Sequence, residues 1–145
     1  MGAHGKPGAS LRVWRDYFRN AIVIGADIDR EILFEEDRIK TYYLDQTNPQ
    51  AIAEFWRNLG LEGFDVILDD GLHTFEAGVC LFENSISKLA KNGVYIIEDV
   101  FVDDLLRFKD FFRARQYAVD YVNLRRPGIE LTYNNNLVVI RHLGS

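Results

Sequence analysis

Phe64-Asp-Val-Ile-Leu-Asp-Asp-Gly-Leu-His73 reads as a buried strand that stops at two adjacent carboxylates, and Gly93-Val-Tyr-Ile-Ile-Glu-Asp99 repeats the pattern. A short apolar run rich in β-branched residues and bounded by turn signals fits a strand covered on both faces of a sheet. Two such strands deliver Asp69, Asp70, Glu98 and Asp99 to one sheet edge, the carboxyl edge at which α/β folds bind ligands. Four carboxylates beside a histidine repel one another unless protons or a hard cation neutralise them. Oxygen-rich clusters of this kind suit Mg2+ or Ca2+ better than zinc. The pattern points to metal-assisted chemistry.

On either side of these strands the apolar residues alternate between helical and strand periods, which predicts a layered α/β architecture. Leu11, Trp14, Tyr17 and Phe18 recur at helical spacing, and the aromatic residues Trp14, Phe55 and Trp56 are expected in the core. Ala21 to Ala26 and Lys40 to Leu44 are strand candidates. Asn48 is expected to cap a helix that has Pro49 in its first turn, presents Ile52, Phe55, Trp56 and Leu59, and stops at Gly60. Thr74 is expected to cap the next helix, carried by Val79, Phe82, Ile86 and Leu89 and ended by Asn92-Gly93. From Asp103 a further helix leads to two runs, Tyr117 to Leu124 and Leu137 to His142, which the turn signal at Arg126-Pro-Gly128 predicts to pair antiparallel. Helices long enough for right-handed parallel crossovers are expected between the other strands.

A length of 145 residues with 48% apolar content predicts one domain, residues 1–145, with a full core. The net charge of -5 argues against affinity for nucleic acid or anionic membrane, both of which need clustered Lys and Arg. The single cysteine, Cys80, cannot form an internal disulfide, reads as a small buried apolar residue, and favours a reducing compartment. With no apolar run near 20 residues and no signal-peptide core, the expectation is a soluble cytoplasmic protein.

Taken together, Gly8-Ala-Ser-Leu-Arg-Val-Trp-Arg-Asp-Tyr-Phe18, Gly25-Ala-Asp-Ile-Asp29, Asp45-Gln46 and the two acidic strand motifs resemble the class I S-adenosylmethionine-dependent methyltransferases. Within that class they are most similar to the metal-dependent O-methyltransferases of macrolide sugars, the mycinamicin and macrocin type, and to cephalosporin hydroxylase-like proteins. The resemblance runs from about Gly2 to Val100. It implies a Rossmann-like three-layer sandwich with a mostly parallel sheet and a C-terminal antiparallel strand pair. It implies S-adenosylmethionine and Mg2+ or another divalent cation as cofactors, a sugar hydroxyl as acceptor, and leaves a homo-oligomer open.

Residue by residue, the resemblance places Gly2, Gly5, Gly8 and Ser10 in the glycine loop beside the methionine part of the cofactor. Asp27 stands where a carboxylate takes the ribose hydroxyls, Asp45 and Gln46 stand at the adenine, and Asp69 belongs to the cofactor side. Asp70, Glu98 and Asp99 match the metal ligands, and His73 the general base. A carboxylate can accept two hydrogen bonds from a vicinal diol, which independently suits Asp27. A histidine whose ordinary pKa is ~6.5 can take a proton near neutral pH, which suits His73.

Competing readings attach to the same residues. Asp27 and Asp29 could end a strand and open a turn, Asp69 could hydrogen-bond local backbone, and His73 could pack on the following helix. The chain also departs from the family pattern. A strand ending in Glu-x-Gly, central in the related sheets, would finish where Met1-Gly2 begins, and position 72 is Leu where Ser is common. The expectation is an N-terminally truncated domain lacking its first central strand. A non-catalytic Rossmann-like module is the alternative function. A nicotinamide dehydrogenase ranks third, since Gly2-x-x-Gly5-x-x-Gly8 matches G-x-G-x-x-G poorly.

Overall fold

The computed structural model describes residues 6–123 and 135–144, which fall into two compact units, Met1–Asp45 and Gln46–Ser145. Gly2 and Gly5, the turn at Arg126-Pro-Gly128 and the end of the strand at Leu124 lie outside the described residues.

The first unit consists of helix α1 (Ala9–Tyr17), strand β1 (Val23–Asp27), a 3-10 turn (Arg30–Ile32), and strands β2 (Glu35–Glu36) and β3 (Ile39–Tyr43). The sheet order is β1-β3-β2, with β1 parallel to β3 in the register Val23 to Ile39 and β2 antiparallel to β3. Gly25 lets the helix approach the sheet, because a Cβ there would stand 2.6 Å from Leu11 Cδ1. Arg38 turns the β2–β3 hairpin in the left-handed region, φ 58°. Its guanidinium donates to the carbonyls of Arg15, in the last turn of α1, and of Phe18 and Ala21 in the segment that follows it. Two sequence expectations are corrected here. The β1–β3 connection holds only the 3-10 turn and β2, with no α-helix. Trp14 is 39% exposed and stacks on Phe18, because Leu11 rather than the aromatic stripe meets β1.

The second unit comprises α2 (Pro49–Leu59), β4 (Phe64–Asp69), α3 (Phe75–Ser85), a 3-10 turn (Ile86–Lys88), β5 (Leu89–Val100), α4 (Val102–Phe112), β6 (Tyr117–Asn123) and β7 (Asn136–His142). The strand order is β4-β5-β7-β6; β4 and β5 run parallel, and β7 pairs antiparallel with both β5 and β6. The expected C-terminal antiparallel pair is therefore present in a mixed sheet. Asn48 accepts from the backbone N–H groups of Gln50 and Ala51, Thr74 from that of Ala77, and Gly60 closes α2 in the left-handed region, as the sequence predicts. Phe55 and Trp56 are buried as expected, and Trp56 Nε1 donates to the buried Ser85 Oγ at 2.9 Å, tying α2 to α3. Ile52, Phe82, Tyr95, Phe108, Val138 and Ile140 form the centre of the core, and Cys80 is half-buried.

One boundary is corrected. The helix predicted to reach Asn92-Gly93 ends at Ser85, and Leu89 already pairs with Phe64 in β5. Gly93 serves strand packing instead, since a Cβ there would stand 2.8 Å from the Phe64 carbonyl oxygen. The described strands form two separate sheets, one in each unit, with β1 at an end of the first and β4 at an end of the second. Among the described residues no helix is long and apolar enough to cross a membrane.

Candidate active site

The two acidic motifs meet because β4 and β5 are parallel neighbours, with Asp69 opposite Ile97. Beyond β4 the chain turns through Asp70-Gly-Leu-His73 into the Thr74 cap of α3. His73 adopts φ 56° and Asp99 φ 50°, both in the left-handed region that ordinary residues avoid. In β5 the register against β7 slips between Ile97 and Val100, a bulge that re-aims Glu98 and Asp99. Asn136, fully buried, pins the far side of this bulge by donating to the Val100 carbonyl at 2.7 Å while accepting from Asn123 Nδ2 at 2.6 Å.

These devices bring Asp70, His73 and Asp99 together, with one ligand atom from each lying within 4.8 Å of the others. Glu98 is not in that trio, yet it lines the same small cavity as Asp69, His73 and Asp104. His73 Nε2 stands 3.8 Å from Asp70 Oδ1, while Nδ1 is buried with no hydrogen-bond partner among the described residues. Burial raises the pKa of Asp70, and repulsion from Asp99 adds to it against the opposing pull of His73. Burial likewise raises Glu98, reinforced by Asp70 and Asp99. A site whose carboxylates are pushed toward the protonated form by burial, with mutual repulsion adding to it, is one a divalent cation would relieve, and the carboxylates of Asp70 and Asp99 are a chemically suitable oxygen donor pair. The residues present therefore fit such a cation.

Asp69 is buried, 5% exposed, and its Oδ1 accepts from Gln46 Nε2 at 3.1 Å and from the Gly71 backbone N–H at 3.3 Å. Burial raises its pKa and those two hydrogen bonds oppose the rise. The Gln46 carbonyl oxygen also accepts from the Leu72 N–H at 2.8 Å, so both ends of that side chain serve the turn.

In the first unit, Asp27 ends β1 and its Oδ1 accepts from the Asp29 N–H at 2.8 Å, while Asp29 in turn caps the 3-10 turn. The turn geometry read from the sequence is thus present. Gly8 begins α1 at φ 74° without a side-chain cap, and a Cβ on it would overlap the Phe34 ring at 2.2 Å. An uncapped helix start offers backbone N–H groups to an anionic ligand group, which suits the carboxylate of an amino-acid moiety. Ser10 is exposed in the first turn, and Asp45 follows the strand ending at Tyr43.

No family model matches the chain. It is 33% identical over 93 residues to the 8-demethyl-8-alpha-L-rhamnosyl tetracenomycin-C 2'-O-methyltransferase of Streptomyces olivaceus, which spans 64% of this chain and 24% of that protein. The demethylmacrocin O-methyltransferase of Streptomyces fradiae is 34% identical over 93 residues, 64% of this chain and 23% of its own length. The MycE methyltransferase of the mycinamycin biosynthetic pathway, solved with Mg, SAH and mycinamycin VI, superposes with a TM-score of 0.67 at 20% identity over 92% of this chain and 40% of that one. The chain is related to the S-adenosylmethionine-dependent sugar O-methyltransferases.

Human methyltransferase-like protein 13 in complex with SAH aligns over 97% of this chain and 70% of its own, with a TM-score of 0.64 at 20% identity. These structural likenesses establish the Rossmann-like methyltransferase fold. The chain spans about a quarter of the length of the curated relatives it matches. The role of Asn136 and the turn contacts of Gln46 escape sequence reasoning. Asn136 meets Val100 from 36 positions away along the chain, and the contacts of Gln46 with the Asp69 turn span 23 to 26 positions.

Proposed function

We propose that this chain serves divalent-cation-assisted methyl transfer from S-adenosylmethionine to a hydroxyl of a sugar or a small natural product. The observation that carries the reading is the convergence of Asp70, His73 and Asp99 within 4.8 Å on motifs of a chain related to sugar O-methyltransferases. Gly8 and Ser10 offer backbone at a helix start to the methionine moiety, Asp27 accepts from the ribose, and Asp45 accepts at the adenine side. Asp70 and Asp99 would hold the cation, with Glu98 adding negative charge beside them. When bound, Mg2+ supplies the charge that lowers the pKa of a hydroxyl beside it.

His73 is the proton acceptor, and geometry selects its nitrogen. Nδ1 is buried, so Nε2 receives the proton, and Asp70 at 3.8 Å stabilises the imidazolium that forms. The sulfonium is already a good leaving group, so the remaining task is alignment of the acceptor oxygen with the methyl group. Residues 1–145 act in this reading as one methyltransferase-like domain.

The test is methyl transfer from isotopically labelled S-adenosylmethionine to rhamnosyl glycosides, with and without Mg2+, alongside calorimetric titration with S-adenosylhomocysteine. Turnover that requires Mg2+ and is lost in His73→Ala supports the reading. Cofactor binding without turnover on any hydroxyl acceptor would favour a binding module.

A further inference from the structure

Asp70 sits inside a turn whose two flanks are held by one side chain from outside it. Gln46 Nε2 donates to Asp69 Oδ1 at 3.1 Å on one side of Asp70, and Gln46 Oε1 accepts from the Leu72 N–H at 2.8 Å on the other. Gly71 is fitted to this arrangement, because a Cβ at that position would lie 1.7 Å from Gln46 Oε1. Asp69 shares the same Oδ1 with the Gly71 N–H, so the amide, the buried carboxylate and the turn backbone form one closed hydrogen-bonded unit. The turn then ends at His73, held at φ 56° immediately before the Thr74 cap. Asp70 and His73 therefore have little freedom of their own, and the side chain that reaches into the turn, Gln46, stands two residues before Asn48, the cap of α2.

We infer that Gln46 is a positioning residue: its amide locks the Asp69–Leu72 turn and so presets Asp70 and His73 for cation binding and proton transfer. This rests on the cation-assisted reading above. A ligand whose geometry is set in advance binds its ion more tightly than one that must be ordered on binding, and loss of groups that orient ligands costs 10- to 100-fold in metal affinity. Amide contacts to Asp69 and Leu72 use one hydrogen and one lone pair of Gln46, and it is this use, rather than contact with a nucleobase, that the geometry supplies.

The test uses the 145-residue chain, Mn2+ alone as the probe, and paramagnetic resonance of free Mn2+ as the readout. Gln46→Ala is expected to weaken Mn2+ binding about tenfold while S-adenosylhomocysteine affinity changes less than about twofold. Gly71→Ala, which pushes the amide away from the turn, is expected to reproduce the loss. Combined in one chain, the two substitutions should cost no more than either alone, since both break the same contact. Hydrogen exchange of the Leu72 amide, followed without any cation, should be slow in the wild type and fast in both variants. Undiminished Mn2+ affinity in folded Gln46→Ala, or loss of S-adenosylhomocysteine affinity with Mn2+ binding intact, overturns the inference. A wild type that binds no Mn2+ defeats the cation reading instead, and the turn-locking role then stands or falls on the Leu72 exchange rate.

Discussion

Asp69 is the buried carboxylate of the site, and burial raises its pKa more than its hydrogen bonds to Gln46 and Gly71 lower it. A carboxylate whose folded pKa exceeds its unfolded value, ~3.9 for Asp, binds more protons folded than unfolded in that interval. Its contribution to stability is full below the interval and is lost as pH rises through it. Asp69→Asn retains Oδ1 for both donors and removes the charge. In chelator, urea denaturation from about pH 4 to about pH 7 should show the variant gaining on the wild type as pH rises, and a pH-independent difference would refute the assignment. Tyr95 offers a second check at this scale. Its hydroxyl is fully buried without a hydrogen-bond partner among the described residues, and burial drives its pKa well above the ordinary range. Tyr95→Phe should therefore stabilise the chain by about 1 kcal/mol, read by thermal or urea melts, whereas a loss would reveal a hydrogen bond at that oxygen.

Strands β4 and β5 set the site at the scale of elements, and their close approach depends on Gly93. With Phe64 O only 2.8 Å from the position a Cβ would take, Gly93→Ala must move backbone and should cost about 1 to 3 kcal/mol in a denaturation experiment. The same glycine shows where the sequence misleads. Asn92-Gly93 carries the chemistry of a helix end, yet pairing of Leu89 with Phe64 draws the chain into β5 several residues earlier. Tertiary pairing outweighs a local signal there. Caps at Asn48 and Thr74 were legible because side chain and acceptor lie within one turn of each other. Asp70 and Asp99 were legible as converging carboxylates because each follows an apolar strand. Side chains alternate along a strand, so adjacent Glu98 and Asp99 do not automatically share a direction, and the bulge that resolves their placement depends on the distant Asn136. Trp14 read as core from its spacing, but helical spacing reports a stripe and not what covers it.

For the molecule as a whole, the fold is that of Rossmann-like methyltransferases, and in the proposed reading a cation held by Asp70 and Asp99 would stabilise the folded chain. A ligand present at 100 times its dissociation constant stabilises the folded state by about 2.7 kcal/mol. Because protons compete for Asp70 and Glu98, Mg2+ should raise the melting temperature more at neutral pH than near pH 5, a comparison that differential scanning fluorimetry can make. That Asp70 and Asp99 hold one cation beside His73 is the central claim, and Mn2+ titration of the wild type, Asp70→Asn and Asp99→Asn followed by paramagnetic resonance tests it most directly. The account predicts one saturable Mn2+ site in the wild type that each substitution weakens by at least about tenfold with the fold intact; equal Mn2+ uptake by all three proteins would contradict it.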